Sequence, residues 1–312
     1  DLTLNGAEAS HRELAELLAP LGEAGIPVYV LAGNHDTDGA AYSFFGDEVT
    51  KFPSTPHETF AAIYADDGFD AAVSRDETSL SYLAKLTDKL WLLLIDTNAN
   101  GTIGTVNRET LAWAREWLQA ANDAGATVIG VSHQSLLTHN PQFQFGYLIN
   151  NAGKLEALYR EFGVRLNLSG HMHTQHIAES DGLTDIATSS LAVTPNQYAV
   201  LTVQDDGSMT YATKPVDVAA WAADNGAADK NLLDFARYSR DFFNATTERK
   251  ERAALAETNM DADAAERMIA LAVAMNEGYF GGTLTAVPDT EALAMWNTLA
   301  PDQRFTSYLN SI

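Results

Sequence analysis

Hydrophobic and polar positions change period along this chain, and the changes mark its elements. Residues 11–21 place Leu14, Leu17, Leu18 and Leu21 at helical spacing. Residues 27–32 form a short β-branched and aliphatic run that ends at Gly33 and reads as a strand. Residues 90–95 are continuously apolar, as expected of a strand covered on both faces. Residues 107–124 predict a helix with Asn107 as its cap and Gly125 as its stop. Trp113 and Trp117 share a face of it and are expected to pack on the sheet. A strand at 127–131, a helix at 154–162 closed by Gly163 and a strand at 164–168 follow. Shorter strands are expected at 184–187, 198–203 and 209–213, the last two joined as a hairpin through Asp205-Asp206-Gly207. The alternation predicts an α/β layered domain over residues 1–215.

Beyond Lys214-Pro215 the strand period stops and Ala, Glu, Arg and Met dominate. Leu232, Phe235, Ser239 and Phe242 lie near one helical face, as do Ala265, Met268, Ala272 and Met275, the latter set reading as helix core. Gly281-Gly282 and Pro288-Asp289 are breaks, and Asp289 or Thr290 caps a last pair of short helices. Residues 216–312 are therefore expected to form an all-helical C-terminal domain.

Composition narrows the chemistry. The 312 residues are 46% hydrophobic and 20% charged, with no apolar run long enough to span a membrane. The net charge is −23, and both segments are acidic, which argues against a nucleic-acid polymer as partner. An anionic substrate needs local positive charge, and metal ions are the obvious source. With no cysteine, thiolate metal sites, disulfides and cysteine nucleophiles are excluded, while the compartment and the oligomeric state stay open.

The polar residues of interest follow the apolar runs. The run at 27–32 leads into Gly33-Asn34-His35-Asp36, that at 127–131 into Ser132-His133, and that at 164–168 into Ser169-Gly170-His171-Met172-His173. Strand ends of a parallel sheet lie along one edge, where α/β proteins put their sites. Imidazoles with one carboxylate and one amide form a donor set suited to Mn, Fe, Zn or Co. In an extended segment, His171 and His173 would point the same way, each ring toward a neighbouring ion.

The order Asp1, Gly33-Asn34-His35-Asp36, His133, Gly170-His171-Met172-His173 resembles that of the calcineurin-like metallophosphoesterases. The opening Asp1-Leu2-Thr3-Leu4-Asn5-Gly6 resembles a run found in the bacterial phosphodiesterase-like branch. The motifs span residues 1–173, and the resemblance of fold extends to about 215. It implies a layered sandwich of mixed sheets flanked by helices, here joined to the helical C-terminal domain. Relatives with that pairing include some proposed to act on cyclic nucleotides. It also implies hydrolysis of a small phosphate ester, a phosphodiester by preference, by a hydroxide held between two transition-metal ions, Mn, Fe or Zn. Phosphomonoester hydrolysis, or a binding protein on an inactive fold, are the alternatives.

Carried over motif by motif, Asp1 is expected to bridge the two metals. Asn34, His133 and His171 are the further ligands of the second, and His173 a ligand of the first. His35 resembles the histidine that protonates the leaving oxygen, with Asp36 orienting it. His139 falls in a segment that resembles a pocket lining, and Asp96-Thr97-Asn98 reads as a structural turn. His11 and His57 read as surface or loop residues, and His176 as structural. The family's first motif, Asp-x-His, does not occur in this sequence, nor does a Gly before Asp1. The expectation is an N-terminal truncation of about one strand and one loop, leaving the first metal only Asp1 and His173.

Overall fold

The computed structural model describes all residues of the chain except Asp38, Asn100, Gly101, Asp205, Glu257 and Asn259. In chain order the elements are α1 (Glu8–Glu23), β1 (Ala40–Phe45), β2 (Glu48–Pro53), α2 (His57–Ile63), β3 (Ser74–Arg75), β4 (Tyr82–Thr87), β5 (Leu90–Ile95), α3 (Arg108–Ala124), β6 (Thr127–Ser132), α4 (Ala152–Glu161), β7 (Leu166–Ser169), β8 (His176–Ser180), β9 (Leu183–Ala187), β10 (Gln197–Val203) and β11 (Met209–Pro215). The helices α5 (Val218–Asp224), α6 (Lys230–Leu233), α7 (Phe235–Ala256), α8 (Ala262–Gly281), α9 (Thr290–Leu299) and α10 (Arg304–Leu309) follow, and a π-helical turn, Ala65–Phe69, lies between α2 and β3.

The chain folds as two compact units. The first comprises Asp1–His139, Phe143–His171 and Ile177–Ile186, and the second Asn140–Gln142, Met172–His176 and Ala187–Ile312. A mixed seven-stranded sheet runs in the order β3-β4-β5-β6-β7-β9-β8. The strands β5, β6 and β7 are mutually parallel, while β3, β4 and β5 pair antiparallel.

The period of two in β4 and β5 explains the layering of the first unit. Leu83, Leu93 and Ile95 bury against Ala114 and Leu118 of α3 and Leu155 and Leu158 of α4. Their neighbours Tyr82, Ala84 and Leu94 enter a second core with Phe60 of α2, Tyr64, and the half-buried Leu14 and Leu18 of α1. Successive side chains point to opposite faces, so a strand covered by helices on both sides must be apolar at every position. Trp113 and Trp117 pack at the edge of the first of these cores.

Helix α3 starts where expected, with the Asn107 side chain accepting from Thr110 N at 2.6 Å, and Gly125 ends it at φ 61°. Residues 27–32 depart from expectation, since among the described residues they join no ladder. Val30 N instead donates to Asp67 O at 3.0 Å, and Val30 and Ala32 are buried in the second core. Apolar content alone does not separate a paired strand from a buried irregular segment. The hairpin β1–β2, largely exposed, was not legible in the sequence.

In the second unit, α8 carries the core. Met268, Ala272 and Met275 are fully buried, packed with Leu255, Ala292, Trp296 and Leu309. The helical face expected over residues 232–242 is interrupted at Asp234, between α6 and α7, and Phe242 is exposed. Asp289 caps α9 by accepting from Glu291 N and Ala292 N. The hairpin β10–β11 forms as expected; its Asp205 lies outside the described residues. The end of α8 touches the segment Met172–His176. Gln175 N donates to Phe280 O at 3.1 Å, and a Cβ at Gly282, whose φ is 71°, would stand 2.7 Å from Gln175 O. Tyr211 donates to Gln175 Oε1 at 3.0 Å from β11.

Candidate metal centre

The site grows from the ends of the parallel strands. His133 follows β6 directly, and Gly170-His171 follows β7. Gly170 N donates to His133 O at 3.0 Å, so the two strand ends are tied together. Asn34 and Asp1 reach the same place from the loop after Ala32 and from the first segment.

Three atoms converge on His133 Nε2. Asn34 Oδ1 is 3.0 Å away, His171 Nδ1 3.0 Å and Asp1 Oδ1 3.4 Å. Among the described residues, Asp1, His133 and His171 bring their ligating atoms within 4.8 Å of one another. Metal bonds of about 2.0–2.2 Å place adjacent ligands of one ion about 3 Å apart, which is the spacing seen. Proton arithmetic agrees. His171 Nε2 donates to the Gly146 carbonyl at 2.8 Å, so in the neutral ring Nδ1 faces the cluster as a lone pair. Asn34 Oδ1 and the Asp1 carboxylate carry no proton either. Asp1 Oδ1 accepts from His35 N at 2.8 Å, and the imidazole, amide and carboxylate atoms together form a donor set that a cation fits. Burial pushes His133 down to about 3, so its ring is neutral at ordinary pH and able to ligate.

His171 and His173 do not sit in an extended segment. Both occupy the left-handed region, at φ 57° and 55°. The alternation expected of a strand is therefore corrected. A non-glycine residue in that region costs about 1–2 kcal/mol, and two of them within three residues fit a backbone shaped for function. His171 joins the cluster, whereas His173 lies exposed in the second unit.

His35 is exposed, and its backbone N–H donates to Asp1 Oδ1 at 2.8 Å. Asp36 is fully buried. In place of the expected contact with His35, its carboxylate accepts from Leu2 N (2.9 Å), Thr3 N (2.9 Å), Thr3 Oγ1 (3.0 Å) and Gly33 N (2.8 Å). Asp36 thus fastens the segment bearing Asp1 to the loop bearing Asn34. A carboxylate has about four lone-pair sites, and these donors use them.

His139, expected near a pocket, belongs to a buried hydrogen-bonded cluster. Its side chain is wholly buried, with Nε2 3.3 Å from the buried Asp185. Asp185 Oδ2 also accepts from Leu136 N at 2.6 Å and Leu137 N at 2.9 Å, and Oδ1 from Asn167 at 2.9 Å. One carboxylate therefore shapes the loop that leaves His133. Sequence reading missed Asp185, although a carboxylate in phase with Leu183 and Ala187 on a strand was a signal. Asp96-Thr97-Asn98 forms a buried, hydrogen-bonded turn, with Asn98 N donating to Asp96 Oδ1 at 2.8 Å. His57 begins α2 and contacts Thr37 Oγ1 at 3.1 Å, and His176 begins β8. His11, expected at the surface, is buried on α1.

Imidazoles, an amide and a carboxylate thus gather at one strand edge of a mixed sheet flanked by helices, with the donor set of a metal site. The chain matches the family model for calcineurin-like phosphoesterases over residues 1–175 and belongs to that family. Residues 217–312 match the model for the C-terminal domain of cyclic nucleotide phosphodiesterase. No curated protein matches the chain. A solved dimetal phosphatase from Danio rerio is similar at 13% identity and TM-score 0.50, covering 66% of this chain and 76% of its own. GAP50, the anchor in the inner membrane complex of Plasmodium, aligns at 14% identity and TM-score 0.30 over 44% of this chain and 45% of its own. This chain is a phosphoester hydrolase, and among its described residues no helix is long and apolar enough to cross a membrane.

Proposed function

We propose that this chain hydrolyses phosphodiesters, with small cyclic-nucleotide-like esters as its substrate class, and that two transition-metal ions, Mn, Fe or Zn, serve it. The convergence of Asn34 Oδ1, His171 Nδ1 and Asp1 Oδ1 on His133 Nε2 carries this reading. The match of residues 217–312 to the cyclic nucleotide phosphodiesterase domain supports the diester preference. Asp1, Asn34, His133 and His171 hold one ion in this reading. His173 is assigned to the other on the resemblance of its motif. Residues 1–215 form the catalytic domain, and residues 216–312 a helical domain without chemistry of its own.

When bound, the ions supply Lewis-acid charge for the phosphoryl oxygens and lower the pKa of water. The chain's residues do the rest. The loops after β6 and β7, tied by the bond from Gly170 N to His133 O, set the ligands before substrate arrives, so little reorganisation is needed during reaction. His35, exposed beside Asp1, donates a proton to the departing oxygen. Asp36 keeps Asp1 in register with the Gly33–Asn34 loop.

The test is elemental analysis of the purified chain with turnover of bis-p-nitrophenyl phosphate and p-nitrophenyl phosphate, before and after chelation. Metal-dependent turnover favouring the diester is expected. Preference for the monoester overturns the diester assignment. Bound metal without turnover of either ester overturns the catalytic reading.

A further inference from the structure

His11 is the one fully buried residue of α1, and it is polar. Its neighbours in phase, Leu14 and Leu18, are only half-buried. An apolar side chain would fill this position without needing partners. An imidazole buried there must be hydrogen-bonded at both nitrogens or cost free energy.

Both nitrogens are satisfied. Nε2 lies 3.1 Å from the backbone carbonyl of Asp36, and Nδ1 lies 2.9 Å from the Tyr64 hydroxyl. A carbonyl only accepts, so Nε2 carries the proton, and in the neutral ring Nδ1 accepts from Tyr64. The ring edge is fixed by Phe60 at 5.2 Å and Tyr64 at 5.6 Å between centroids. On the other side of the Asp36 carbonyl stands Gly6, where a Cβ would come within 2.6 Å of that oxygen. The Asp36 main chain is therefore clamped between His11 and the Gly6 turn. Its side chain, held by that clamp, takes the amides of Leu2 and Thr3.

We propose that His11 is a positioning residue for Asp1: through its bond to the Asp36 carbonyl it sets the carboxylate that fixes residues 1–3, and so aims the Asp1 carboxylate at His133 and His171. The line runs from Tyr64 to His11, to Asp36, to Leu2 and Thr3, to Asp1. The inference rests on reading Asp1, His133 and His171 as metal ligands.

The test uses two amide replacements that each keep one half of the imidazole's bonding. His11→Gln places its amide nitrogen near the former Nε2 and can still donate to Asp36 O. His11→Asn places its amide near the former Nδ1 and loses that bond. Cobalt affinity is measured by competition with a chelator, alongside unfolding by urea. His11→Gln should bind cobalt within about 3-fold of the parent, while His11→Asn should bind about 10-fold or more weakly at comparable stability. Equal affinities for the two variants, whether both retained or both lost, overturn the proposal. If His11→Asn does not fold, Tyr64→Phe serves instead. It should weaken cobalt binding about 3-fold and change the His11 tautomer signal in nitrogen-15 spectra, and no change in either overturns the proposal. His133→Ala is the control: should it bind cobalt like the parent, the metal-site reading fails, whatever the His11 variants do.

Discussion

Gly33 lies so close to Asp1 that a side chain at position 33 would collide with the Asp1 carboxylate, and it would stand 2.7 Å from the His133 ring. Backbone approach of this kind leaves room for hydrogen only. Gly33→Ala is therefore expected to push two candidate ligands apart. Metal content should fall by about tenfold, while stability to urea falls by only about 1–3 kcal/mol, the usual cost of overpacking. Full metal content in a folded Gly33→Ala chain would show that the ligands do not depend on this contact.

His35→Asn tests the proton donor. Turnover of an alkyl phosphodiester should fall by about 10²–10⁴-fold with metal retained. The loss should be much smaller for p-nitrophenyl esters, whose leaving group needs no proton. Equal losses on both esters remove His35 from this role.

Asp185→Asn leaves a single acceptor oxygen, so its NH2 must face either Leu136 N and Leu137 N or the Asn167 Nδ2 donor. The chain should lose about 2–4 kcal/mol of stability. Metal affinity should weaken about tenfold, because the loop leaving His133 loses its anchor. A stable variant with unaltered affinity would mean that the loop is held by other means.

Glu251 gives a pH dependence. It is buried on α7 with no hydrogen-bond partner for Oε2 among the described residues, and burial raises its carboxyl to about 7 from an ordinary 4.5. Below pH 4.5 both folded and unfolded chains hold the proton and no penalty arises. Between 4.5 and 7 the unfolded chain ionises first, so stability falls as pH rises and levels off above 7. Glu251→Gln removes this slope. Its advantage in urea unfolding should grow from near zero at pH 4.5 to about 3 kcal/mol at pH 8. A difference independent of pH would refute the assignment.

The fold was legible where one local signal decided the outcome. Asn107 and Gly125 bounded α3, and the apolar runs at 90–95 and 127–131 became β5 and β6. The site residues stood out because polar groups follow buried strands. What stayed hidden depends on distant partners. Residues 27–32 have strand composition but no ladder, and pairing is not a property of one segment. The hairpin β1–β2 is mostly exposed and lacks clean alternation. Thr3, which binds Asp36, and Asp185, which binds His139, lie 33 and 46 residues away from them in sequence. His11 was misread because its helical phase with Leu14 and Leu18 was outweighed by its polarity.

The contact between Gln175 and the end of α8 bears on how the domains could be exchanged. The residues matching the two family models are separate stretches of chain, yet the second compact unit takes in Met172–His176, all but the last residue of which belongs to the first stretch. A C-terminal domain transplanted from a relative at residue 217 would arrive without the segment shaped to meet Gly282 and Phe280. The unit that can be exchanged intact is accordingly discontinuous, since a change at Gly282 or Phe280 is felt directly at Gln175.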